Sequence, residues 1–284
     1  MEAAQIAELL EPYLGPANDQ RLTTDDLIDI STYIDMLQRW NAHVNLTAIR
    51  NEEEIVTRHF GESLFAARHL FPSRSHAGRA APGCPAEQSS ASTPLSSHNQ
   101  RSTPRNDEHR GRAALQGRVI GQNGYEALAP VLPSGERLQN WNTEQRKKVS
   151  LADVGSGAGF PGIPIKLWAP EISLTLIESN HKKAAFLREV ARALTLTDID
   201  IKNTRAESLA GRFDVVTLRA VERFETVLPV AASLVALDGR LALLIGSDQI
   251  PGATSTLSTL KWAEPLPVPL SRSRMLLVGQ NQNS

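Results

Sequence analysis

The sequence predicts a doubly wound α/β domain preceded by a helical segment. Three observations carry that expectation. From Ser150 onward, short apolar runs alternate with longer stretches of helical periodicity. The runs are near-continuously apolar, as parallel strands covered on both faces are. The first run ends in a cluster of glycines, at the carboxyl end of a strand, where the binding crevice of such a sheet opens.

The elements follow in chain order. Thr23 or Thr24 can cap a helix whose apolar positions Leu27, Ile30, Ile34, Leu37 and Trp40 recur at three- and four-residue intervals. Asn51 followed by Glu54 resembles a capping box, opening a second helix through Ile55, Phe60, Leu64, Ala67 and Leu70 until Pro72. On that helix His59 and Glu62 share a face, either as a polar pair steadying a surface helix or as groups turned toward a ligand. Ser73 to Arg112 has eight Ser, four Pro, six Arg and one large aliphatic residue, Leu95. It cannot bury enough apolar surface to offset chain ordering and is expected to be disordered. Val119, Ile120, Tyr125, Leu128, Val131, Leu132 and Trp141 predict weak order in part of the stretch that follows. Beyond it, SLADVG, SLTLIES, DIDIKN, RFDVVTL, GRLALLIG and RMLLVG read as strands, with Asn180–Leu196, Glu225–Leu237 and Gln249–Leu260 as helices between them. The expected division is a helical cap over 1–72, a low-complexity insertion over 73–148 and the sheet domain over 149–284.

Composition narrows the function classes. Lys and Arg number 30 against 31 Asp and Glu, a net charge of -1, so no global positive field announces nucleic acid. The charge is uneven: -7 over residues 1–72, +5 over 73–150 and +1 over 151–284. Cys84 is the single cysteine, which excludes an intrachain disulfide scaffold and a Cys-based metal site within one chain. The first residues, MEAAQIAELLEPYLG, are acidic where a signal peptide is basic. No apolar run approaches the roughly 20 residues that cross a bilayer. A soluble cytoplasmic protein is expected, without a metal, acting as a monomer and engaging neither membrane nor DNA.

The glycine cluster is the sharpest motif. Asp153-Val154-Gly155-Ser156-Gly157-Ala158-Gly159-Phe160-Pro161-Gly162 follows the first strand. A dinucleotide fingerprint places glycines at the first, third and sixth positions of GxGxxG, but the sixth position here is Phe160. No GK[ST] follows, so a phosphate-cradling P-loop fits poorly. An acidic residue leading into GxGxG, closed by a bulky side chain, better suits adenosine with an attached amino acid. Glu178 closes the second strand, 23 residues after Gly155. A carboxylate there accepts hydrogen bonds from ribose hydroxyls, a geometry that NAD-binding proteins share, or else caps the helix opening at Asn180. Arg205-Ala206-Glu207 follows the third strand, where an adenine edge would reach, and Arg219 follows the fourth. Arg205 and Glu207 taken alone read equally well as a local surface ion pair of little energetic weight.

With these residues in place, the chain resembles the bacterial 16S ribosomal RNA guanine-N7 methyltransferases of the RsmG type, also called glucose-inhibited division protein B. The matching segments are WNAHVNLT at 40–47, DVGSGAGFPGIPIKL at 153–167, LIESNHKKAAFLREV at 176–190, RAE at 205–207, FDVVTLRA at 213–220 and the terminal RSRMLLVG. The resemblance implies a class I S-adenosyl-L-methionine-dependent (Rossmann-like) methyltransferase fold with an N-terminal helical cap. It implies methyl transfer to N7 of guanosine 527, in the 530 loop of 16S rRNA, with that RNA or the small ribosomal subunit as partner. Gly155 and Phe160 are then expected to contact the cofactor, with Gly157 and Asp153 in the same loop, Ala206 and Glu207 on the adenine side, and Glu178 on the ribose. Arg219 is expected in the pocket near the cofactor, positioning the substrate.

Three features depart from the family pattern. His59-Phe60-Gly61-Glu62-Ser63 stands where His-x-x-Asp-Ser is common, Ile245-Gly246 where many members have Lys-Gly, and 73–148 where a short link is usual. The chemistry implied needs no general base, because guanine N7 carries an available lone pair; the protein's task is alignment and electrostatic preorganisation. His181, Lys182, Lys183, Arg188 and Arg192 are candidates for RNA backbone contacts, and equally a solvated helix face. The alternatives from other classes are a methyltransferase for another RNA base or a small molecule, and a non-catalytic ribosome-assembly factor.

Overall fold

A computed structural model describes residues 1–15, 22–72, 148–219 and 223–282. The expected disorder of Ser73–Arg112 and the weak order beyond it lie outside the described residues.

The chain opens with α1 (Ala3–Leu14), inside the expected helical cap though ahead of the two helices placed there, and α2 (Thr24–Asn41). Thr23 caps α2: its hydroxyl accepts the Asp26 amide while the Asp26 carboxylate accepts the Thr23 amide, the reciprocal arrangement that satisfies two orphan donors. Asn51 caps α3 (Glu52–Glu54), which runs without a break through a π-helical turn, Ile55–Gly61, into α4 (Glu62–Leu70). The expected second helix is therefore present but wound wider in its middle. Gly61 lies against Tyr13 of α1, and a Cβ there would stand 2.6 Å from the Tyr13 ring. No other residue type permits that approach.

Five parallel strands follow the expected order: β1 (Ser150–Val154), β2 (Ser173–Ile177), β3 (Ile199–Lys202), β4 (Phe213–Arg219) and β5 (Val235–Gly246). Between them lie α5 (Gly162–Trp168), α6 (His181–Ala193) and α7 (Phe224–Ser233), with α8 (Ile250–Thr256) after β5. Three antiparallel strands complete the edge: β6 (Leu260–Trp262), β7 (Leu266–Pro267) and β8 (Arg274–Asn281). The sheet order is β3-β2-β1-β4-β5-β8-β6, with β7 on β8. The order reverses between β1 and β4, which is the switch point where a crevice forms.

Two expected boundaries move. The helix read over Glu225–Leu237 stops at Ser233 because Val235 already pairs with Phe213. Pairing then breaks and resumes at Val215–Arg240, with Asp238 at φ 60° in the kink. Likewise α8 is shorter than the Gln249–Leu260 run, since Leu260 opens β6.

Alternate strand residues feed two cores. Leu174, Leu176, Val215, Ala242 and Leu244 join the core beneath α1, α2, α4, α5 and α6. Ile177, Val216, Leu218, Leu241 and Leu243 face the other way, beneath α7 and α8. This explains why the strands are apolar at nearly every position. The N-terminal helices belong to the first core. Trp168 Nε1 donates to the Phe71 carbonyl at 3.0 Å, Arg240 donates to the Leu70 carbonyl at 3.0 Å, and Trp40 Nε1 donates to Glu189 of α6 at 3.1 Å.

Candidate active site

The glycine loop between β1 and α5 is pinned from below and open above. Its Gly155 and Ser156 amides donate to the Ile177 carbonyl at 3.0 and 3.1 Å, which ties the loop to the end of β2. Gly157 adopts φ 57°, left-handed backbone that a β-carbon strains, and a Cβ there would meet nothing nearer than the Gly155 carbonyl at 3.8 Å. Gly159 serves packing instead: a Cβ would collide with the Tyr33 hydroxyl and stand 2.7 Å from Ile163. The exposed edge at Gly155 and Gly157 is thus the part of the loop that a ligand can approach.

Asp153, expected near the cofactor, is turned into the protein. It is 1% exposed, its Oδ1 accepts from Thr217 at 2.8 Å and its Oδ2 from the Gly162 amide at 3.2 Å. Burial pushes its carboxyl up to about 6 even though hydrogen bonds from Thr217, Gly162 and Ser156 favour the anion. Asp153 braces the loop from inside. Glu178 stands at the rim, 7% exposed, and also works as a brace: Oε2 accepts from the Gly157 amide at 2.9 Å and Oε1 from the Asn180 amide at 2.7 Å. Each carboxylate oxygen has a second lone pair, so the hydrogen bonds leave one acceptor site per oxygen. The cap of α6 is Asn180, whose side chain accepts the Lys182 and Lys183 amides, and Glu178 holds the Asn180 amide just before it. Ala206 and Glu207 sit on a 3₁₀ turn, Ala206–Ser208, after β3, with Ala206 against the second core and Glu207 exposed.

Phe160, expected to contact the cofactor, has its ring packed among three others. Tyr33 stacks on it at 5.3 Å and 5°, His59 at 4.7 Å and 17°, and Phe60 lies nearly perpendicular to it at 5.1 Å. All three come from the helical segment, and Phe160 is 7% exposed.

Arg219 lies at the end of β4, as expected, and its side chain is held by the N-terminal helices. Its side chain is 8% exposed and pairs with Glu62, 5% exposed, at 3.0 Å. The same nitrogen, Nη2, donates to the Arg58 carbonyl at 2.6 Å and faces His59 Nδ1 at 3.3 Å. Burial lowers its pKa, an effect the Glu62 charge opposes. Nε and Nη1 are buried without a partner. Buried donors without acceptors are rare, and two of them on one side chain at a strand end mark Arg219 out. His59 is driven down to about 3 by burial and then by the Arg219 and Arg58 charges, so it is neutral near pH 7. The sequence placed His59 and Glu62 on one helix face; their common partner 157 residues on was the part it did not reveal.

Beyond the ends of β4 and β5 lies an open recess of about 600 Å³, lined by Arg223, Phe224, Glu225, Asp248, Gln249 and Thr256 among others. Among the described residues no helix is long and apolar enough to cross a membrane, and no cluster of His, Cys, Asp and Glu is arranged to hold a metal.

The family model described as rRNA small subunit methyltransferase G matches residues 26–81 and 135–256, most of the chain. The chain belongs to that family. In this chain the doubly wound sheet has the helical segment packed on one face. Among the relatives is the ribosomal RNA small subunit methyltransferase G of Roseiflexus sp. strain RS-1, 29% identical over 271 residues that cover 91% of this chain and 84% of the relative. The Halorhodospira halophila protein of the same name is 31% identical over 215 residues, covering 75% and 66% respectively. The Mycoplasma capricolum subsp. capricolum protein is 44% identical over 114 residues, which is 39% of this chain and about half, 48%, of that relative.

Proposed function

We propose that the protein transfers a methyl group from S-adenosylmethionine to N7 of a guanine in small-subunit ribosomal RNA, guanosine 527 in the 530 loop of 16S rRNA. The observation that carries the reading is the strand-end glycine loop, open above Gly157 and rimmed by Glu178, on a chain of the methyltransferase G family. The residues present fit the cofactor. The backbone at Gly157 has open space above it that would admit the cofactor, Glu178 retains acceptors that would take ribose hydroxyls, and Ala206 and Glu207, on the turn after β3, would meet the adenine side. The Phe160 backbone closes the loop.

When bound, S-adenosylmethionine supplies a methyl group activated by a sulfonium. The nucleophile is the N7 lone pair of guanine, which bears no proton, so no side chain has to remove one. What remains for the protein is to hold base and donor in line and keep water out, which is the source of most of the rate in such a step. Arg219 supports that reading: Nε and Nη1 are donors held in place by Glu62 and without acceptors of their own. A donor at guanine O6 or at a phosphate orients the base without competing for N7. The recess at the ends of β4 and β5 offers room for the incoming nucleotide.

The test is single-turnover transfer from labelled S-adenosylmethionine to small-subunit rRNA, naked and as assembled particle, with the modified base identified by mass spectrometry. Arg219→Ala is expected to depress the rate by ~2–4 kcal/mol in transition-state terms, and Arg219→Lys to recover only part, lacking the planar fork. Methyl on a different atom or base would overturn the substrate assignment.

A further inference from the structure

Every acceptor that holds Arg219 comes from the π-helical turn or its junction with α4, and one of them, His59, is tied in turn to a distant loop. We propose that His59 is a positioning residue: a neutral imidazole that fixes Arg219 through Nδ1 and backs Phe160 with its ring, its Nε2 proton held by Thr47. The proposal rests on the methyl-transfer reading and assigns residues that serve it.

One arrangement lets all of these contacts act together. A guanidinium only donates, so a hydrogen bond from Arg219 Nη2 to His59 Nδ1, 3.3 Å away and sharing the two Nη2 hydrogens with the Arg58 carbonyl and Glu62, requires Nδ1 to be the unprotonated nitrogen. The proton is then on Nε2, which faces Thr47 Oγ1 at 2.8 Å and donates to it. Thr47 Oγ1 also accepts the Ile49 amide at 3.1 Å. The loop that presents this hydroxyl is closed by Asn41, whose Oδ1 accepts the Leu46 and Thr47 amides at 2.9 and 3.1 Å and whose Nδ2 donates to the Thr47 carbonyl at 2.9 Å. Asn41 and Thr47 are the second and last residues of WNAHVNLT, so that segment has a structural reason to exist: it ends in the acceptor that orients His59. The ring lies on Phe160, the side chain that closes the glycine loop. One imidazole thus touches both strand-end elements of the candidate site. Protonation would turn a second N–H toward a cation, and burial beside Arg219 and Arg58 holds the ring neutral.

The full-length chain tests this with two independent readouts. Imidazole nitrogen NMR on the wild type should show His59 with Nδ1 bare and Nε2 protonated between about pH 5 and 8. The Arg219 Nε–H resonance should exchange faster with solvent in Thr47→Val and in His59→Phe than in the wild type. In single-turnover transfer at saturating cofactor and RNA, Thr47→Val should lose about tenfold in rate with little change in Tm, and Thr47→Ser, which restores the hydroxyl, should recover most of it. Equal rates for Thr47→Val and Thr47→Ser, or a proton on Nδ1 in the wild type, would overturn the proposal. If the wild type transfers no methyl to small-subunit rRNA, the functional reading fails, while the NMR readouts still decide for or against the His59 arrangement.

Discussion

Glu62 and Arg219 form the pair whose disruption tells most about the site. At 3.0 Å and an effective dielectric constant of about 20, their attraction is about 5 kcal/mol before desolvation is subtracted. Both side chains are almost fully buried, so removing one leaves an uncompensated charge, a loss on the scale of ~3–5 kcal/mol. For Glu62→Ala the lower end applies, about 3 kcal/mol, because the Arg58 carbonyl and His59 Nδ1 still accept from Arg219. Glu62→Leu combined with Arg219→Met removes both charges and keeps volume, and such replacements are often near neutral. The double variant should therefore be more stable than either single variant would predict. Urea unfolding of wild type, both singles and the double gives the coupling energy, expected above ~2 kcal/mol. The double variant, although folded, should transfer methyl at least as slowly as Arg219→Ala, because Arg219 is gone. A coupling below ~0.5 kcal/mol would show that the pair is solvated and that the argument from burial is wrong.

Three further outcomes are expected. Gly61→Ala should destabilise by ~1–3 kcal/mol in urea unfolding through overpacking against Tyr13, and Tyr13→Leu in the same chain should return part of the loss. Glu178→Ala should weaken S-adenosylhomocysteine binding roughly tenfold or more by calorimetry, with Glu178→Gln intermediate since it keeps one acceptor; unchanged affinity in a folded variant would remove Glu178 from the cofactor site. Stability against pH should show two opposed contributions. Asp153, raised from 3.8 to about 6, binds its proton more tightly in the folded state, so its contribution falls as pH rises through about 4 to 6, by ~3 kcal/mol. His59, lowered from 6.5 to about 3, binds it less tightly, so its contribution is full above 6.5 and is lost as pH falls toward 3. Comparing wild type with His59→Phe between pH 7 and 5 isolates the Asp153 slope: the variant should gain stability on acidification relative to the wild type.

Much of the architecture is written in local pattern. The helix caps at Thr23 and Asn51, the five parallel strands and the glycine loop at 155–159 all depend on neighbours a few residues apart, so periodicity and residue type suffice to read them. The same is true of the strand-end positions of Glu178 and Arg219, because a strand's end is marked by where its apolar run stops. Local pattern falls short where two segments compete for one residue. Val235 reads as helix continuation until Phe213 is beside it.

The site divides along the same line. Sequence alone determined that a carboxylate, a glycine loop and an arginine gather at successive strand ends, since topology follows from the order of the elements. What those groups do to one another was decided only by packing across long separations. Glu62 meets Arg219 over 157 residues, Tyr33 and His59 cover Phe160, and Asp153 turns inward to Thr217 and Gly162. Burial is a property of the assembled layers, and burial is what makes the Glu62–Arg219 pair costly to break, keeps His59 neutral and raises Asp153. No window of sequence contains that information, because the atoms that exclude water from each group come from the other end of the chain.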